Sequence, residues 1–92
     1  MKIARENKEL VELEVVDLCK RKHTIYLKHV TKLNHEILTD TYSIHVINNR
    51  AVEYMRVTKE DWYKIKELLE ESKYMKQKDD IYTYYYDDTK EG

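Results

Sequence analysis

Four histidines are the side chains in this sequence most capable of catalysis or metal binding. His23, His29 and His35 follow one another at intervals of six residues, and His45 lies in a later segment. Even spacing places residues on one side of an unbroken strand, but six residues of strand span roughly 20 Å. Ligands of one metal ion lie within roughly 2.3 Å of it. The pattern therefore predicts neither a metal site nor an active site.

Glycine content excludes the common phosphate-binding loops. The single glycine is Gly92, whereas the P-loop and the dinucleotide-binding fingerprint each need several glycines within one short loop. Because no catalytic or cofactor signature is present, the sequence predicts a protein that is not an enzyme and that needs no cofactor.

A basic stretch covers residues 19–35, which carry five Lys or Arg side chains and no acidic one. Basic groups around an aromatic ring can follow a phosphate backbone. The candidate nucleic-acid-binding residues are Lys20, Arg21, Lys22, His23, Tyr26, Lys28 and Lys32. However, only one of the five is Arg, the better bidentate phosphate ligand, and the isoelectric point of about 6.4 is not that of a dedicated nucleic-acid-binding domain. Nucleic-acid binding is therefore the alternative hypothesis.

The C-terminal tail, residues 79–92, combines acidic side chains with four tyrosines. Tyrosine supplies rigid amphipathic area at protein interfaces, and flanking carboxylates suit a basic partner surface. The candidate protein-binding residues are Asp79, Asp80, Tyr82, Tyr84, Tyr85, Tyr86, Asp87 and Asp88. The rings could contact the rest of the chain, a second copy or another protein. In a strand, Tyr84 and Tyr86 would share one face and Tyr85 would lie on the other.

Two strands are predicted in the first half of the chain. Residues 9–18 fit either a strand or a helix, and their β-branched side chains favour the strand. Residues 24–33 are β-branched and aromatic enough for a second strand, which we expect to end at Asn34-His35-Glu36.

A β-hairpin is predicted over residues 42–57, with its corner at Asn48-Asn49-Arg50. A three-residue loop pairs Val46 with Val52 and Ile44 with Tyr54. It also places His45 opposite Glu53 on the other face. This register keeps apolar and polar side chains on separate faces, and it predicts that Ile44 and Val46 face the core.

One helix is predicted after Thr58, because Thr58 and Asp61 have the spacing of a capping box. Apolar residues then recur at helical spacing from Trp62 as far as Met75. Since Trp62 belongs to this stripe, we interpret it as a core anchor rather than a ligand platform. The predicted fold is α+β: an antiparallel meander of three or four strands packed by one helix in the C-terminal half. It forms a single domain over residues 1–78, and residues 79–92 form an acidic tail or an extra edge strand.

Composition limits the class of protein. The chain has 92 residues, 22 of them Ile, Leu or Val, which is enough for one small core. No stretch approaches the roughly 18 apolar residues of a membrane span, and the first residues lack the apolar run of a signal peptide. Cys19 has no second cysteine for an internal disulfide. We therefore expect a cytoplasmic protein that does not bind membranes.

The preferred functional hypothesis is a small protein-binding module that occupies the surface of a partner with basic side chains. In size and composition the chain resembles small virus-encoded inhibitors of bacterial defence, such as anti-CRISPR proteins. The resemblance implies a host–virus interaction in which the chain blocks a basic nucleic-acid-binding host protein. A homodimer is a further form of contact, and a nucleic-acid-binding regulatory domain that uses residues 20–35 is the alternative.

Overall fold

The computed structural model describes residues 1–6, 11–72, 74–78 and 82–86. Its fold is α+β with antiparallel sheets and a helix in the C-terminal half, which confirms the predicted class. The strands are more numerous than the predicted three or four. The elements are β1 (Lys2–Glu6), β2 (Val11–Val16), β3 (Lys22–Tyr26), a 3₁₀ turn (Leu27–His29), β4 (Val30–Glu36), β5 (Thr41–Asn48), β6 (Ala51–Val57), α1 (Lys59–Glu71), β7 (Met75–Gln77) and β8 (Tyr84–Tyr86).

The first sheet has the order β1-β2-β3. Strand β2 confirms that residues 11–16 of the ambiguous segment are extended, and their alternation is that of a half-buried strand. Leu13 and Val15 are fully buried, whereas Glu12 and Glu14 lie on the opposite face.

The second predicted strand, over residues 24–33, is wrong as a single element. The chain bends through the 3₁₀ turn and continues as β4, which extends beyond the expected stop to Glu36. In an unbroken strand Leu27 and Val30 would face opposite ways, but the turn directs both into the core. A bulge beside Thr31 shifts the pairing again, so that Val30 and Leu33 are both buried.

The β5–β6 hairpin has a different loop from the one predicted. Its turn contains two residues, Asn49 and Arg50, with φ angles of 50° and 69°, and Asn48 pairs with Ala51. Positive φ at both central residues is typical of the two-residue turns whose twist matches that of the strands. The second sheet has the order β4-β5-β6.

The shorter loop changes the register. Ile44 pairs with Met55 and His45 with Tyr54, so the predicted His45–Glu53 pair is not formed. Met55 and Val57 are buried, whereas Val52 is 64% exposed and Tyr54 is 52% exposed. The prediction that Ile44 and Val46 face the core is confirmed.

The helix begins as predicted, because the Thr58 hydroxyl accepts a hydrogen bond from the Asp61 N–H at 3.2 Å. Trp62, Ile65 and Leu69 are buried on its inner face. It ends before Met75, which belongs to β7 rather than to the predicted stripe. Ser72 ends the helix, since its hydroxyl accepts from the N–H of Met75 at 3.2 Å.

Strands β7 and β8 form a two-stranded sheet that joins the edge of β4. The Leu33 N–H donates to the Tyr82 carbonyl at 2.8 Å, and Lys32 forms a bridge with Thr83. Tyr84 thereby reaches the common core. The core consists of Leu13, Val15, Ile25, Leu27, Val30, Leu33, Tyr42, Ile44, Val46, Met55, Val57, Trp62, Ile65, Leu69, Met75 and Tyr84. Within the described ranges, no helix is long and apolar enough to cross a membrane.

The hairpin register leads to a stability prediction. Met55→Ala should lower the free energy of unfolding by about 2–5 kcal/mol, because it removes a buried side chain. Val52→Ala should change it by less than about 1 kcal/mol, because Val52 is mostly exposed. Urea denaturation followed by circular dichroism measures both variants. If Val52→Ala lowered the free energy of unfolding more than Met55→Ala did, the result would support the three-residue loop instead.

Candidate protein-interaction surface

The four histidines lie in separate local contacts. Each ring has its own neighbour: His23 bonds to Asp17 at 2.8 Å, His35 bonds to Asp40 at 2.9 Å, His29 packs edge-on against Tyr26 and His45 packs edge-on against Tyr54. The described residues contain no group of three or more potential metal ligands. These rings therefore hold loops and strands in place and do not form a common centre.

Asp17 illustrates this structural use of a carboxylate. It accepts hydrogen bonds from His23 and from the N–H groups of Cys19 and Arg21, and so it closes the loop between β2 and β3. The hydrogen bonds from His23 and Arg21 lower the pKa of Asp17 below its usual value.

The structure divides the predicted basic stretch among several places. Lys20 and Arg21 lie in the β2–β3 loop, and Lys22 and Tyr26 lie on β3 with His23 between them. Lys28 lies on the 3₁₀ turn, where its ammonium is 5.6 Å from the centre of the Tyr86 ring. Lys32 lies on β4 opposite His45, in the second sheet.

The described tyrosines of the tail mostly contact the chain itself. Tyr84 is 2% exposed in the core, and Tyr82 and Tyr86 are partly buried against it. Tyr85, on the other face of β8, is 41% exposed. Asp79, Asp80, Asp87 and Asp88 lie outside the described residues. The ring of Tyr84 is thus already buried within its own domain.

A feature that the sequence analysis missed is the loop between β4 and β5. Residues 36–40, here called the hairpin tip, expose Ile37 by 80% and Leu38 by 93%. The Asp40 N–H donates to the Ile37 carbonyl at 3.3 Å, and Asp40 has a φ angle of 52°. The available signal was the apolar pair itself, because turns are normally built from polar residues, Gly and Pro.

Aromatic packing fixes the base of this hairpin. His35 stacks on Tyr42 with ring centres 4.0 Å apart and planes 9° apart, and Tyr42 packs edge-on against Trp62 at 5.2 Å. The Trp62 indole N–H donates to the Ser43 carbonyl at 3.1 Å. Helix α1 therefore holds the root of the hairpin while its tip extends into solvent.

Two acidic residues flank the apolar pair in the chain. Glu36 and Asp40 are exposed on either side of it, and His35 bonds to Asp40. Nearby, burial and the charge of Asp40 raise the pKa of Tyr42. The hairpin tip thus presents two aliphatic side chains within an acidic rim.

Comparison with known proteins gives no match: no family model, curated protein or solved structure is similar to this chain.

Two histidines should make stability depend on pH. Burial lowers the pKa of His29 and of His45, and the neighbouring Lys28 and Lys32 lower them further. The pKa of a histidine in the unfolded chain is about 6.5. As the pH falls, the unfolded chain therefore takes up these protons before the folded chain does. The stabilisation is complete above about pH 6.5 and is lost as the pH falls through the lowered pKa values.

Replacing both rings, as His29→Gln with His45→Gln, should reduce the pH dependence of the unfolding free energy between about pH 7 and pH 5. Urea denaturation at each pH measures the slope. If the unfolding free energy of the double variant depended on pH as steeply as that of the wild type, other groups would be responsible for the dependence.

Proposed function

We propose that the chain is a small protein-binding module whose main contact is the hairpin tip. The observation that carries this proposal is the exposure of Ile37 and Leu38, by 80% and 93%, in a loop between two paired strands. Burial of an aliphatic side chain of this size in a partner contributes about 1.5–3 kcal/mol. Two adjacent aliphatic side chains that gain nothing from their own fold are suited to fill a pocket elsewhere.

The anchored base of the hairpin supports the same role. The stacked His35–Tyr42 pair and the Trp62 hydrogen bond hold the strands on both sides of the tip. A loop whose two ends are held has fewer conformations to lose when it binds, so more of the contact energy appears as affinity.

Charge defines the chemistry of the partner. The acidic rim of Glu36 and Asp40 fits an apolar pocket surrounded by Lys or Arg side chains. Complementary charge mainly raises the rate of association and excludes wrong partners. Basic surfaces are typical of proteins that bind nucleic acid.

The more specific form of the proposal is an inhibitor. The chain would act in the cytoplasm of a host cell, bind a basic nucleic-acid-binding protein and compete with its nucleic acid, in the manner of anti-CRISPR proteins. Inhibition by occupation requires no catalytic step and no cofactor. The small size of the chain, 92 residues, suits a role confined to one contact.

Paired variants test the contact. Ile37→Ser with Leu38→Ser should weaken binding by about 700-fold or more, since anchors at an interface typically contribute at least ~2 kcal/mol each. The matched control is Ile47→Ser with Val52→Ser, an exposed apolar pair on β5 and β6. The wild-type chain captures partners from host lysate, and surface plasmon resonance then measures each variant against them. Equal affinities of the tip variant and the wild type would refute the proposal.

A competition assay tests the inhibitor. A captured partner bound to a labelled oligonucleotide should release it as the chain is added, which fluorescence anisotropy follows. A ternary complex with undiminished anisotropy would exclude inhibition by competition. A dimer in analytical ultracentrifugation that the tip variant abolishes would identify a second copy as the occupant.

A further inference from the structure

Strand β3 is the outer strand of the first sheet, and its pairing with β2 determines which backbone groups face outward. The Asp17 N–H donates to the Arg21 carbonyl at 3.0 Å, in the same register as the β2–β3 ladder. Hydrogen-bonded and non-hydrogen-bonded pairs alternate along an antiparallel ladder. His23 and Ile25 therefore bond to β2.

The intervening residues, Lys22 and Thr24, direct their N–H and C=O groups away from β2. Among the residues that the structure describes, no backbone group bonds to these outward groups. Unpaired N–H and C=O groups along an edge strand are a template for another strand.

A groove follows this edge. A cavity of about 290 Å³ is lined by the five consecutive residues 22–26 of β3. Because successive side chains of a strand point to opposite faces, a cavity that touches all five runs along the backbone edge rather than over one face. Its opposite wall is the end of the β5–β6 hairpin, with Val46, Asn48 and Glu53.

The groove continues beside β6, the outer strand of the second sheet. A second cavity of about 370 Å³ is lined by the consecutive residues 54–56 of β6 and by residues of the β2–β3 loop. The two linings adjoin at Arg21 and Lys22 on one side and at Glu53 and Tyr54 on the other. The Leu18 N–H donates to the Arg56 carbonyl at 3.0 Å, so the β2–β3 loop contacts β6 in this region.

Charge in the groove favours an acidic occupant. Arg21, Lys22 and Arg56 supply positive side chains and Asp17 and Glu53 negative ones, so the lining has one more cation than anion. Asp17 lies 3.9 Å from Arg21 and bonds to His23, and Glu53 accepts a hydrogen bond from Asn48 at 3.2 Å. Acidic side chains on an added strand would meet the cations, since opposite charges on neighbouring strands are favourable.

We propose that this groove binds an extended acidic segment of a partner protein, which adds to the edge of β3 as a further strand. Backbone hydrogen bonds to Lys22 and Thr24 supply affinity, and the cations select carboxylates. A peptide is favoured over nucleic acid because its backbone carries alternating N–H and C=O groups at the spacing of the strand edge. The cavity along β3 borders the turn end of the β5–β6 hairpin, at Asn48 and Glu53, whereas the hairpin tip lies at the opposite end of β5. The two contacts are therefore separate.

The probe is a fluorescein-labelled heptapeptide of alternating Glu and Val. Fluorescence anisotropy should give a dissociation constant below about 1 mM, and a peptide with Lys in place of Glu should bind at least about tenfold more weakly. Amide hydrogen exchange followed by NMR identifies the site. At saturating peptide the amides of Lys22 and Thr24 should exchange about tenfold more slowly, while those of His23 and Ile25, already bonded to β2, should not change.

A variant pair tests the backbone contact. Thr24→Pro removes an outward N–H without removing a bond to β2, and it should weaken binding at least about tenfold. Thr24→Val, which keeps the N–H, should bind as the wild type does. If the Thr24→Pro variant does not fold, the same test is made with the wild-type protein. The peptide is then N-methylated at the residues whose N–H groups point towards β3. A peptide methylated on the alternate residues is the control.

Failure has a clear signature. No binding up to about 1 mM, equal binding of both methylated peptides, or exchange unchanged at Lys22 and Thr24 would overturn the proposal. So would a single-stranded oligonucleotide that binds the groove more tightly than the peptide. The variant Ile37→Ser with Leu38→Ser should bind the peptide normally, so that failure at the tip and failure at the groove are distinguishable.

Discussion

The hydrogen bond from the Trp62 indole to the Ser43 carbonyl joins helix α1 to the middle of the second sheet. Trp62 is 2% exposed, so the bond of 3.1 Å lies in a dry environment where losing it would leave a buried donor unpaired. The same ring contacts Tyr42 and Tyr82, at 5.2 Å and 5.9 Å between centres. One side chain thus links the helix, the β4–β5 hairpin and the segment before β8. The base of the hairpin is therefore anchored here, although its tip is exposed.

Turns without glycine are a second constraint, and they border both proposed contacts. Lys20, Asp40, Asn49 and Arg50 have positive φ angles although none is glycine. Residues held in this region cost about 1 kcal/mol or more each, and they persist only where the surrounding structure determines them. Lys20 lies in the loop beside the groove, Asp40 lies in the hairpin tip, and Asn49 and Arg50 form the β5–β6 turn, which follows the groove residue Asn48. Backbone strain is therefore located at the surfaces assigned to binding.

Local signals predicted the helix and much of the strand content. The Thr58 cap, the stripe that begins at Trp62 and the alternation around Leu13 depend on residues close in sequence, so each could be recognised without the fold. The candidate site was less predictable. The tail tyrosines stood out by composition, yet Tyr84 packs in the core of its own domain. The exposure of Ile37 and Leu38 was not predicted, because an apolar pair looks the same in the sequence whether it is buried or exposed.

The sequence by itself determined the α+β class, the position of the helix and the direction in which Ile44 and Val46 face. The tertiary structure decided the two-residue turn at Asn49-Arg50, the bend through residues 27–29, the burial of Tyr84 and the exposure of the hairpin tip. It also decided that the edges of β3 and β6 border one groove. The physical reason is range: capping and periodicity are set by near neighbours in the chain. Register, burial and unpaired edges depend on which distant segments meet, and many segments of similar hydrophobicity compete for those places.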